Sequence, residues 1–352
     1  MAQPIKVLIV DDSAFMRKAL SSMLESDSEI KVIGTARDGM EGIEKIPQLK
    51  PDIVTLDIEM PRMNGLEALR IIMEKMPLPV LMVSSLTEDG AKATLDALSL
   101  GAIDFIPKDL HDLSLNIVKI RDHLIEKIKT IARKKHKFKP PSEIEKKVVT
   151  PIIPRVSWTQ STRKANIVAI GTSTGGPKAL QEVLPLLPKD FPIGGVIVQH
   201  MPPAFIGPFA QRLNQLSQVE VKEATAGDII KPGLFLIAPG GYHMHVIRRK
   251  PTEVGIELTK EPADSLHRPS VDEMMLSVAK VFPGNSIGVI LTGMGQDGLE
   301  GIRAIKAVNG RTIAEAESTC IVYGMPRAIV DNGLADKITP LPQVAGEILN
   351  MV

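Results

Sequence analysis

The chain has 352 residues, 42 Lys+Arg against 41 Asp+Glu for a formal net charge of +1, with 44% apolar and 24% charged residues. That length suggests two domains, each able to bury its own core. The single cysteine, Cys320, excludes an internally disulfide-stapled scaffold of the secreted kind, no apolar run reaches the roughly 20 residues that span a bilayer, and the balanced charge gives no reason to expect a nucleic-acid partner.

The N-terminus enters a strand-like run at Ile5 to Val10 without a basic leader. No signal peptide is expected, and a cytoplasmic protein is. From there to residue 118, apolar strands at about 5–10, 31–35, 52–56, 79–84 and 102–106 alternate with amphipathic helical patterns. Five βα units imply a parallel sheet with helices on both faces.

In such sheets ligands sit beyond the C-terminal strand ends. That rule gathers Asp11 and Asp12, Asp57, Ser84 and Ser85, and Lys108 at one edge. Clustered carboxylates repel unless a hard cation neutralises them, and Mg²⁺ prefers oxygen ligands. A carboxylate beside Mg²⁺ can attack a phosphoryl group while the metal and a lysine hold its oxygens. Strand-end aspartates can instead be plain helix caps. That reading fits Asp11 or Asp12 alone, and it does not account for the whole set.

Charge then divides the chain. Residues 1–118 carry 12 basic and 19 acidic side chains, residues 119–164 carry 14 and 4, and residues 165–352 carry 16 and 18. Ile117, Ile120, Leu124, Ile128 and Ile131 keep helical spacing, so a helix should close the first domain near residue 132. The text from 133 to 164 is basic, with Pro140, Pro141, Pro151 and Pro154. Like charges repel and prolines break regular structure, so it reads as a tether. A nucleic-acid patch is the weaker reading, because interleaved aromatics are nearly absent.

The second domain, 165–352, again opens as α/β. A strand at 167–170 leads to Gly171-Thr172-Ser173-Thr174-Gly175-Gly176, then a helix near 177–187. The next strand, 195–198, ends in Gln199-His200. The 234–259 stretch alternates like antiparallel strands. A helix near 270–281 and a strand at 287–291 resume the first pattern, ending in Thr292-Gly293-Met294-Gly295-Gln296-Asp297-Gly298.

The Gly-rich turn allows a phosphate cradle, ordinary turn chemistry, or a nucleophile elbow presenting Ser173, since Gly171 to Gly175 matches Gly-x-Ser-x-Gly. No P-loop or dinucleotide fingerprint is present. A serine nucleophile needs a base, and the base needs a partner. His200, His243, His245 and His267 are the candidates. His243 and His245 could also form a metal pair, although no third ligand stands out. Asp297 could orient the base or simply cap a helix.

Two resemblances bear on these patterns. Residues 1–118 resemble the receiver domain of two-component response regulators: Asp11-Asp12, Asp57 followed by Met60-Pro61-Arg62-Met63-Asn64-Gly65, Ser84, and Lys108 after Pro107. The resemblance implies a flavodoxin-like fold with Asp57 as phospho-acceptor. It also implies Asp12 and Asp57 as Mg²⁺ ligands with Asp11 nearby, Ser84 as the reporting hydroxyl, Phe105 as the aromatic switch position and Lys108 as the phosphoryl partner.

Residues 165–352 resemble the catalytic domain of chemotaxis protein-glutamate methylesterases, the CheB family. The matching text is Gly171 to Pro177, Gln199-His200-Met201-Pro202, Ala238 to Met244, Arg268 to Asp272, and Leu291 to Gly298. This resemblance implies a doubly wound α/β domain with a Ser173–His200–Asp297 triad, oxyanion support from Thr174 and Met294, and no cofactor for ester hydrolysis. Its implied partners are methyl-accepting chemotaxis receptors as substrate and the chemotaxis histidine kinase as phosphodonor. A monomer without membrane insertion or nucleic-acid binding is expected.

Overall fold

The computed structural model describes residues 3–108, 113–133 and 164–352, with the backbone alone over 113–120. Apart from its two end residues, the basic tether expected over 133–164 lies outside the described residues. The chain divides into two units, residues 1–150 and 151–352.

In the first unit, β1 (Ile5–Val10), β2 (Ile30–Ala36), β3 (Ile53–Asp57), β4 (Val80–Ser84) and β5 (Asp104–Pro107) form one sheet in the order β2-β1-β3-β4-β5. All its pairings are parallel. The helices are α1 (Ala14–Glu25), α2 (Gly39–Leu49), α3 (Gly65–Lys75), α4 (Glu88–Leu100) and α5 (Leu113–Arg133). Every residue of β3 and β4 is buried, as expected of strands covered on both faces. Chain order reverses between β1 and β3, which opens a crevice at their C-terminal ends. α5 ends at Arg133 and buries Leu124, Ile128 and Ile131, three of the positions whose helical spacing the sequence shows.

The second unit holds β6 (Ile167–Thr172), α6 (Gly176–Val183), β7 (Gly194–Gln199), α7 (Pro203–Leu216), β8 (Glu220–Glu223), β9 (Leu234–Ile237), β10 (His243–Lys250) and β11 (Glu253–Thr259). Then come α8 (Val271–Val281), β12 (Ser286–Ile290), α9 (Leu299–Ala307), β13 (Arg311–Glu315), α10 (Met325–Asp331), β14 (Lys337–Thr339) and α11 (Leu341–Asn350). Seven strands make a parallel sheet, β14-β13-β12-β6-β7-β9-β8. From β6 the chain moves outward through β7, then crosses back to place β12 on the other side of β6. The crevice of this sheet therefore lies beyond the ends of β6, β7 and β12.

One expectation needs correction. The 234–259 stretch is not antiparallel throughout. β9 pairs in parallel with β7 and β8, and only β10 and β11 form the antiparallel hairpin. The burial explains the division. All four residues of β9 are buried, as a central parallel strand requires, whereas β10 becomes exposed towards its end. The edge strand β8, Glu220-Val221-Lys222-Glu223, buries only Val221, so its apolar pattern is too weak to read.

The crevice is packed by a close approach of β6 to α8. A Cβ on Gly171 would lie 2.2 Å from Val271 Cγ1 and 3.0 Å from Ile290 Cδ1. Overpacking of this kind costs about 1–3 kcal/mol. Gly171→Ala should therefore lower the melting temperature of the second unit by roughly 2–12 °C, measured by calorimetry.

Candidate active site

The first crevice collects the acidic groups. Asp11 follows β1, and Asp57 and Ser84 end β3 and β4. Lys108 follows β5, where its N–H donates to the Ser84 carbonyl at 2.7 Å. Asp11 and Asp57 are buried. The Lys108 ammonium lies 2.5 Å from Asp57 Oδ2 and 3.3 Å from Asp11 Oδ2. Apart from that ammonium, neither Oδ2 has a partner. The loop stays tight because α3 begins against it: a Cβ on Gly65 would fall 2.0 Å from the Asp57 carbonyl oxygen.

Burial pushes the Asp57 carboxyl up to about 6, against the opposing pull of the Lys108 hydrogen bond and charge. Burial raises Asp11 likewise. Asp11, Asp12 and Asp57 bring ligand oxygens within 4.8 Å of one another. Three hard oxygen donors, two of them under-satisfied, fit a divalent cation such as Mg²⁺. Phe105 is buried at β5. The Ser84 hydroxyl is engaged on the α4 side. It accepts from Thr94 Oγ1 at 2.7 Å and contacts the Gly90 carbonyl at 3.2 Å.

In the second unit, Ser173, His200 and Asp297 follow β6, β7 and β12 in turn, on three neighbouring strands. The backbones of Ser173 and His200 are tied together. The buried Gln199 amide donates 3.0 Å bonds to the carbonyls of both, and His200 N–H donates to Thr172 O at 3.2 Å. On the other side, Ser173 N–H donates to Thr292 O at 3.1 Å. A Cβ on Gly293 would meet Ser173 Cβ at 3.0 Å, so the 293–297 turn runs directly past the serine.

Asp297 is the most heavily bonded group of the set. Its Oδ2 accepts from Val271 N–H at 2.7 Å and lies 2.7 Å from His200 Nε2. Its Oδ1 accepts from Ser270 Oγ at 2.9 Å and Asp272 N–H at 3.0 Å. Ser270 is the N-cap of α8, so the carboxylate sits on the exposed N–H groups of that helix, where the macrodipole also favours an anion. Burial alone would raise its pKa. The His200 bond and charge and the two backbone donors outweigh burial and hold Asp297 well below the usual carboxylate range. Asp272, beside it, is shifted up by burial and by the neighbouring Asp297 charge.

Because a carboxylate only accepts, His200 Nε2 carries the proton of that bond. Nδ1 is then the basic nitrogen, the reverse of the usual serine-hydrolase arrangement. Nδ1 is buried and has no hydrogen-bond partner, so no bond joins it to the Ser173 hydroxyl here. Such contacts often tighten only with substrate present. Thr174 is buried and its Oγ1 is unpartnered, while its carbonyl accepts from Thr292 Oγ1 at 2.9 Å. Met294 is half-buried in the turn beside Ser173.

His243 is buried in β10, and His245 Nε2 lies 3.3 Å from Glu273 Oε2. Neither enters a three-ligand group among the described residues. The sequence reading missed Ser270 and Gln199. Ser270 was legible as a capping box with Glu273 three residues on. Gln199 had no signal beyond its neighbour.

An acidic crevice with a lysine and a crevice holding serine, histidine and aspartate, each on its own parallel sheet, define a receiver domain and a hydrolase domain in one chain. The CheB methylesterase family model matches residues 168–348, and the response regulator receiver model matches residues 7–117. A protein-glutamate methylesterase/protein-glutamine glutaminase of Oleidesulfovibrio alaskensis is 52% identical over 99% of both chains. One of Pyrococcus horikoshii is 45% identical over 100% of this chain and 95% of its own. The crystal structure of a Thermotoga maritima CheB methylesterase catalytic domain matches at TM-score 0.52 and 40% identity, covering 54% of this chain and 100% of that one. The chain belongs to the CheB methylesterase family.

Asp297 makes a stability prediction with a definite sign. Its pKa is depressed in the folded state. Its contribution is therefore complete above the unfolded value near 4 and is lost as pH falls below it. Asp297→Asn should cost about 2 kcal/mol at pH 7. The gap to the parent chain should narrow steadily between pH 5 and pH 3 in urea titrations.

Proposed function

We propose that the chain hydrolyses γ-methyl esters of glutamate on methyl-accepting chemotaxis receptors and deamidates receptor glutamines, with Ser173 as nucleophile, His200 as base and Asp297 as its anchor. The observation that carries this reading is the Asp297 carboxylate on His200 Nε2, with Nδ1 unpartnered and the Ser173 backbone clamped beside it.

His200 Nδ1 takes the Ser173 proton as Oγ bonds to the γ-carbonyl carbon. The carbonyl π electrons move to oxygen, and N–H groups of the 293–295 turn, that of Met294 foremost, receive the oxyanion with Thr174 in support. Collapse breaks the bond to methoxide, and the His200 proton leaves with it as methanol. Water then bonds to the acyl carbon as His200 takes its proton; collapse breaks the bond from that carbon to Oγ, and His200 returns the proton to Ser173, leaving a glutamate carboxyl group. With glutamine the leaving group is ammonia.

In the first unit the proposed phospho-acceptor is Asp57. Asp12 and Asp57 would hold Mg²⁺ with Asp11 nearby. That ion would neutralise the phosphoryl oxygens alongside Lys108. Phosphorylation by the chemotaxis histidine kinase adds roughly two charges to this edge, and Ser84 and Phe105 respond. The receiver restrains the second unit until that happens. No helix among the described residues is long and apolar enough to cross a membrane.

Ser173→Ala should abolish methanol release from methyl-esterified receptor membranes with the melting temperature retained; substantial residual turnover would refute the nucleophile. The fragment 165–352 should release methanol faster than the unphosphorylated full chain, and a phosphodonor should close that gap. Equal rates without phosphodonor would refute the restraint.

A further inference from the structure

One contact of the His200 imidazole has no role in the scheme above. The ring of His267 lies flat upon it, with centroids 4.1 Å apart and planes 19° from parallel. His267 belongs to the segment between β11 and α8. The same segment delivers Ser270 and the α8 N–H groups to Asp297. It is tied at several points. Ser265 Oγ donates to His267 O at 3.0 Å, Arg268 Nη2 donates to Ala263 O at 2.9 Å, and Gly241 N–H donates to Arg268 O at 3.1 Å.

The geometry leaves a problem that this contact solves. His200 is held by its Cβ–Cγ bond and by a single hydrogen bond at Nε2, and one hydrogen bond resists turning about Cβ–Cγ only softly. The Nδ1 lone pair must nonetheless point at Ser173 when substrate arrives. A flat neighbour removes that rotation. The stack also has an electrostatic sense. A neutral aromatic face attracts a cation, and His200 becomes a cation when it takes the serine proton. A charged neighbour at the same place would repel it.

We propose that His267 is a positioning residue for the esterase reaction, a neutral ring that sets the plane of His200 and steadies the imidazolium as it forms. The proposal rests on His200 being the base. The charged groups around the stack are Asp297 at His200 Nε2, Asp272 behind it, and Arg268 next to His267 in the chain. Burial, and then the His200 charge, push His267 down to about 4, so its ring is neutral at working pH.

The test is methanol release by the full chain on methyl-esterified receptor membranes, with three substitutions. His267→Phe preserves a flat neutral ring and should stay within about threefold of the parent kcat. His267→Ala should lose about tenfold or more in kcat with KM unchanged within about twofold, since it disturbs orientation and not substrate affinity. His267→Lys sets a fixed positive charge beside the base and should move the acidic limb of kcat/KM about one pH unit lower. Melting temperatures measured alongside identify any variant that fails to fold, and the Phe variant then decides. A Phe variant as slow as the Ala variant, or an Ala variant with parent kcat, would overturn the proposal. Ser173→Ala and His200→Ala are run in parallel; activity in either would sink the triad itself, a result separable from any outcome at His267.

Discussion

A carboxylate pinned to the start of a helix organises the second unit. Asp297 takes two backbone N–H groups and the cap hydroxyl of α8, and only then reaches His200. Those donors are the groups a helix leaves unsatisfied at its N-terminus. They would otherwise need water or another cap. The aspartate therefore remains ionised despite burial, and its negative charge lies against the His200 ring, where the proposed mechanism places an imidazolium. The histidine is oriented by a group that is itself held on both oxygens.

The sheet topology explains why these residues meet. β6 is central, with β7 and β12 on either side, so the loops after these three strands open on one crevice. The Gly171 and Gly293 positions allow α8, β6 and the 293–297 turn to come closer than side chains would permit. The first unit applies the same rule with other chemistry. Its reversal between β1 and β3 gathers carboxylates and one lysine, and burial raises the aspartates there. The two crevices illustrate opposite uses of a buried carboxylate. One is held ionised by donors, and the other is under-satisfied and suited to a cation.

Much of this was legible before folding. The strand–turn–helix rhythm of both halves places Asp11, Asp57, Ser84 and Lys108 at one edge and Ser173, His200 and Asp297 at another, because each follows a short β-branched apolar run bounded by turn residues. The β9 assignment failed for a physical reason. Phe235-Leu236-Ile237 is too short for its period to separate a parallel strand from a hairpin arm. The His267 stack was not legible at all. Its loop is polar and aperiodic, and nothing local to Ala263 to Pro269 says which ring it will meet. The Ser270 cap lay between these cases, visible as a helix start but not as a partner for a residue 27 positions away.

The central claim is that Asp297 fixes the His200 tautomer, leaving Nδ1 as the base. Nitrogen-15 NMR of histidine-labelled full chain, assigned by the signals lost in a His200 substitution, reads that directly. The account predicts, for neutral His200, a protonated Nε2 with a strongly deshielded proton and an unprotonated Nδ1. A proton resting on Nδ1, with Nε2 bare, would contradict it.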